Sequence, residues 1–78
     1  MKELVQYLAK SLVNNADAVE VQETDGEGAA ILELKVAKED LGRIIGKQGR
    51  TAKSIRTILN AAASRIQRKV ILEIIEER

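Results

Sequence analysis

The chain has 78 residues and contains no cysteine, histidine or proline, so disulfides, thiolate or imidazole metal sites and the commonest general base are excluded, and one small core must hold the fold. The formal net charge is +1, but eight of the thirteen cations (Arg43, Lys47, Arg50, Lys53, Arg56, Arg65, Arg68 and Lys69) fall between Leu41 and Lys69, where no acidic residue occurs. Such segregation suggests a local positive face that meets an anion, the plainer alternative being a solvated basic helix face. No apolar run is long enough to span a membrane, and the opening "MKELVQYLAK" is amphipathic rather than a signal peptide. A soluble, cytoplasmic protein is expected.

In chain order, residues 3 to 14 read as a helix, with Leu4, Val5, Leu8 and Leu12 at helical spacing. Residues 18 to 24 alternate Val19 and Val21 with Glu20 and Gln22, a half-buried strand. "DGEG" signals a hairpin turn. Residues 29 to 36 alternate again, Leu32, Leu34 and Val36 against Glu33 and Lys35. A short helix is predicted from Glu39 to Ile45, with Glu39 and Asp40 at the positive end of its dipole. After Gly49 a longer helix is predicted to about Ile66, with Ala52, Ile55, Leu59, Ala62 and Ile66 as its buried stripe. Arg50, Lys53, Asn60 and Ser64 fall opposite, and Arg56 at the border. "KVILEIIEE", ending at Glu77, reads as a strand well covered by its neighbours. The order α-β-β-α-α-β predicts a two-layer α+β domain, a three-stranded sheet with helices on one face.

The chemistry concentrates in "IIGKQGRTAKSI", residues 44 to 55. Gly46 can end one helix through positive φ, and Gly49 allows a tight reversal into the next. The four residues between these helices then precede a helix N-terminus, whose amides and dipole attract phosphate. Lys47 and Gln48 add a charge and donors at the tip, and Arg50 and Lys53 extend the positive track. Glycine is common at helix ends, so a GxxG alone would read as an ordinary connection. The preceding Ile44-Ile45 pair, Ile55 at helical distance and the acid-free basic segment make this one more specific. Ile44 and Ile55 themselves fit buried stripes.

"LGRIIGKQGRTAKSI" resembles the signature of the KH domain, at Gly42, Ile44, Ile45, Gly46, Lys47, Gly49, Arg50 and Ile55. KH domains bind single-stranded nucleic acid, with a GxxG loop clamping about four nucleotides. Ala52 departs from the pattern, where many members carry a larger aliphatic residue. The element order resembles the type II arrangement, with one domain over residues 1–78. The chain is thus similar to the stand-alone bacterial KH proteins of the KhpA family. The resemblance implies binding of single-stranded RNA, in the role of an RNA chaperone or post-transcriptional regulator. It also implies a homodimer or pairing with a larger KH-containing protein of the KhpB (Jag) kind. No cofactor or metal is implied. Gly46, Lys47, Gln48 and Gly49 would hold phosphates. Ile45, with Gly42 giving close access, would form an apolar floor, and Arg43, Arg50 and Lys53 would add charge. The sole aromatic residue, Tyr7, is far from the loop in sequence and reads as a core-edge or interface residue, so base–aromatic stacking is not expected.

Three other readings compete. "GRIIGKQ" approximates a phosphate-binding P-loop, but it is one residue short, and Gln48 stands where a hydroxyl must reach magnesium. Asp25 and Glu27 suit a turn better than catalysis. The stronger competitor is a protein-interaction module that docks partners through its apolar helix faces, with an inactive GxxG loop. Arg65, Arg68 and Lys69 read as a solvated helix end.

Overall fold

A computed structural model describes residues 1–76. Helix α1 covers Lys2–Leu12. Its buried line is Val5 and Ala9, one turn apart, with Leu4 and Leu8 packed partly against the core. Leu12, expected in that line, is exposed. It is the last helical residue, because the chain turns extended at Val13 rather than after residue 14.

Ala18 belongs to a 3-10 turn, Ala16–Ala18, and not to the first strand. Strand β1 runs Glu20–Gly26 and pairs antiparallel with β2, Ala29–Val36. Asp25 and Gly26 are still paired, with Ala30 and Ala29, so the reversal is made by Glu27 and Gly28, the latter at φ +69°. The hairpin thus turns one dipeptide later than Asp-Gly suggested. β2 alternates faithfully: Ala30, Leu32, Leu34 and Val36 are buried and the residues between them half-buried.

Strand β3, Lys69–Glu76, lies parallel to β2, in the sheet order β1-β2-β3. It is therefore an edge strand and not the covered strand its composition suggested. Its Leu72 is buried, but Ile71 on the opposite face is 46% exposed. Glu77, the expected end of this strand, lies outside the described residues.

The helices lie on one face of the sheet, where Val5, Val21, Leu32, Leu34, Val36, Ile44, Ile55, Leu59 and Leu72 form one core. Each of the larger side chains among them contributes roughly 1.5–3 kcal/mol by leaving water. The other face is open. There Glu33 and Glu73 stand in register on neighbouring strands, and Lys35 Nζ lies 3.8 Å from Glu20 Oε2.

Helix α2 is Leu41–Ile45, entered through a 3-10 turn at Lys38–Asp40, so Glu39 and Asp40 precede the helix rather than begin it. Helix α3 is Arg50–Ser64. Ala52, Ile55, Leu59 and Ala63 are its buried residues. Ile66 was expected to continue that stripe, but it is 60% exposed. The helix closes before it: the Gln67 amide donates to Ser64 O and the Arg68 amide to Ala63 O. With Gln67 left-handed at φ +56°, this is a Schellman ending, which turns Ile66 out of the helical path.

Candidate nucleic-acid interface

Everything the sequence singled out lies on α2, the turn Lys47–Gly49 and the start of α3. Five residues are too few for a self-supporting helix. α2 is held from below by Ile44, which is fully buried. Leu41 also packs partly against the core, while Gly42 and Arg43 are exposed and Ile45 is 38% exposed. Nothing lies within 4 Å of a Cβ built on Gly42. The fold therefore has no steric need for glycine at a position where it weakens a helix by about 1 kcal/mol relative to alanine.

Gly46 is the opposite case. Its φ of 77° and ψ of 171° define a region essentially closed to side chains, and a Cβ there would stand 2.9 Å from the Thr51 amide nitrogen. Gln48 (φ 57°, ψ 26°) and Gly49 (φ 74°, ψ 11°) are both left-handed. A glutamine in that conformation costs about 1 kcal/mol, so Gln48 is placed against local preference, with its side chain exposed beside that of Lys47.

The turn uses part of its own donor capacity. Gly46 N–H donates to Gly42 O at 2.8 Å, Gly49 N–H to Gly46 O at 3.1 Å, and Arg50 N–H to Lys47 O. Three of the amides around the α3 N-terminus are therefore already used within the protein.

The α3 dipole is unopposed. α3 starts at Gly49 with no side-chain cap bond and no acidic residue in its first turn. Helix stability favours a carboxylate there. The position is held instead by Arg50, and Lys53 follows one turn on, both exposed. A dipole end reinforced by cations is poorly arranged for folding and well arranged for a phosphate.

A part of this surface that the sequence did not reveal lies further along α3. Arg56 Nη2 donates to Leu72 O at 3.4 Å. Beside it a groove of about 210 Å³ is lined by Arg56, Leu59, Asn60, Val70, Ile71 and Leu72. Only the parallel return of β3 beside α3 creates it, which local patterning does not show. The larger depression, about 450 Å³, is on the open sheet face and is lined by Glu20, Val21, Gln22, Glu33, Lys35 and Ile75. Its two carboxylates make it unsuited to a polyanion.

Arg68 was expected at a solvated helix end. It is instead half-buried, donating from Nη2 to Asp25 Oδ1 at 3.1 Å and to Ala29 O at 3.3 Å, so it braces the hairpin. Arg65 and Lys69 are exposed, and Tyr7 is exposed on α1, which removes the core-edge reading and leaves the interface one. Among the described residues there is no cluster of metal-ligating side chains and no helix long and apolar enough to cross a membrane.

A three-stranded mixed sheet with this element order, and a Gly-Lys-Gln-Gly turn between its second and third helices, defines a type II KH domain. A family model described as "KhpA/KhpB, KH domain" matches residues 2–74. The chain belongs to that family. It is 57% identical over 75 residues to "RNA-binding protein KhpA" of Caldanaerobacter subterraneus subsp. tengcongensis, covering 96% of this chain and 100% of the relative. It is 53% identical over 78 residues to the protein of that name from Chlamydia trachomatis serovar D, covering 100% of both. With the Aquifex aeolicus protein of the same name, identity is 47% over 76 residues, 97% of this chain and 96% of the relative. No solved structure matches the chain.

Proposed function

We propose that this chain binds single-stranded RNA by its sugar-phosphate backbone at the Gly46–Gly49 turn. The observation that carries the reading is the start of α3, an uncapped helix end with no acidic residue in its first turn, where Lys47 and Arg50 stand. The naming of the relatives as RNA-binding proteins supports it. Lys47 and Gln48 grip phosphates, with Gly46 and Gly49 keeping the main chain approachable. Arg43, Arg50 and Lys53 form the positive track. Ile45, beside the bare surface at Gly42, is an apolar floor for bases, and the groove along Arg56 and Leu72 receives the next nucleotides.

The role is non-enzymatic and cytoplasmic, that of an RNA chaperone or post-transcriptional regulator. One site of about four nucleotides binds modestly. The protein therefore works as a homodimer, or with a larger KH-containing partner of the KhpB kind, raising effective concentration.

The test is the double variant Lys47→Asp, Gln48→Asp. Both side chains are exposed, so the circular dichroism spectrum should be unchanged while RNA retention is abolished. Retention equal to wild type would refute the clamp and favour a protein-interaction module.

A further inference from the structure

Asp40 is the one buried charged residue among those described, at 2% exposure, and it makes no cap bond to α2, the helix it precedes. Its oxygens reach across the fold instead. Asn14 N–H donates to Oδ1 at 3.1 Å and Asn15 N–H to Oδ2 at 3.0 Å, tying the exit of α1 to the entrance of α2. A carboxylate is kept buried only where its lone pairs are satisfied. These two amides leave capacity on Oδ1, and Arg43 Nε stands 3.6 Å from that atom. The Arg43 side chain is 55% exposed, and Asp40 is its one acidic partner among the described residues.

A guanidinium that meets its carboxylate through Nε keeps both Nη groups for another acceptor, the fork that suits a phosphate. α2 supplies Gly42, Arg43 and Ile45 to the RNA surface and leads directly into Gly46. We infer that Asp40 is a positioning residue for RNA binding: it fixes the entry of α2 against α1 and holds Arg43 by Nε, so that the Nη fork faces the RNA backbone. This rests on the RNA-binding reading of the site, and it concerns a residue that touches no RNA itself.

The sign of the effect separates positioning from plain charge. Asp40→Asn removes a negative charge beside a site for a polyanion, so through-space electrostatics alone would tighten binding. Positioning requires the reverse. Binding of a short fluorescent mixed-sequence RNA is measured by anisotropy at a temperature where each variant is folded. Asp40→Asn should weaken binding about three- to tenfold. In an Arg43→Gln background it should bring a clearly smaller loss, whereas the exposed neighbour change Glu39→Gln should leave binding at or above wild type. Arg43→Lys keeps the charge on an exposed side chain but has neither Nε nor a fork. It should lose most of what Arg43→Gln loses, and wild-type binding by it would overturn the inference even where Asp40→Asn does not fold.

Arg43→Lys binding as tightly as wild type would overturn the inference. So would tighter binding by Asp40→Asn, or an equal loss from Asp40→Asn with and without Arg43. Those results leave the RNA-binding reading standing, because wild type still binds. A wild-type chain with no affinity for the RNA overturns the reading of the site and this inference with it.

Discussion

A Cβ on Gly46 would lie 2.9 Å from the backbone nitrogen of Thr51 and overlap the Thr51 side chain, while a Cβ on Gly49 would meet nothing within 4 Å. Both glycines have positive φ, but Gly46 has ψ 171° and Gly49 ψ 11°, so they differ in conformation as well as in sterics. Gly46→Ala should destabilise the fold by about 2–3 kcal/mol, through a forbidden backbone region together with a main-chain clash. Gly49→Ala should cost about 1 kcal/mol, the left-handed penalty alone. Urea denaturation of both variants measures the difference, and equal losses would contradict the geometry.

Gly42 should behave in the reverse manner. It is helical, exposed and free of neighbours, so Gly42→Ala should raise stability by about 0.5–1 kcal/mol. The same methyl group stands on the surface assigned to RNA, so affinity should fall. Thermal melting and an RNA titration on one preparation check both signs. A stabilised variant with undiminished affinity would remove Gly42 from the site.

A clamp on about three phosphates of a single strand predicts a slope of log K against log salt near −2. Neutralising one contact, as in Arg50→Gln, should flatten the slope by about 0.7. Titrations over a range of potassium chloride concentrations give both values. A slope near zero would mean that the partner held by this surface is not a polyanion.

Gln67 is left-handed at the Schellman ending of α3, a position that glycine favours. Gln67→Gly should stabilise the protein by about 0.5–1 kcal/mol. It lies outside the residues assigned to RNA, so affinity should be unchanged. Denaturant midpoints and the same RNA titration test this.

The parts legible in the sequence are those set by short-range patterning. The alternation through Leu32, Leu34 and Val36 survives intact because one face of β2 is buried and the other is not. The turn at Gly46 and Gly49 was readable because positive φ favours glycine. What escaped depends on distant parts of the chain. Ile66 fits a helical stripe on paper, and only the closing bonds from Gln67 and Arg68 remove it. Ile71 and its neighbours read as a covered strand, since hydrophobicity does not report whether a strand lies at an edge. Asp40 looked like a dipole partner for its own helix, yet its acceptors are used by Asn14 and Asn15, some 25 positions earlier. The contribution of Arg56 to the groove required the return of β3.

Ala29 is paired with Lys69, forty positions later, and both helices of the RNA surface lie inside that span. During synthesis, the hairpin and α1 leave the ribosome long before their final neighbour exists. Buried Leu32 and Leu34 must wait for Leu72, so the nascent chain is committed to a slow, long-range closure. The surface assigned to RNA is therefore complete only once β3 has been made and has paired with β2.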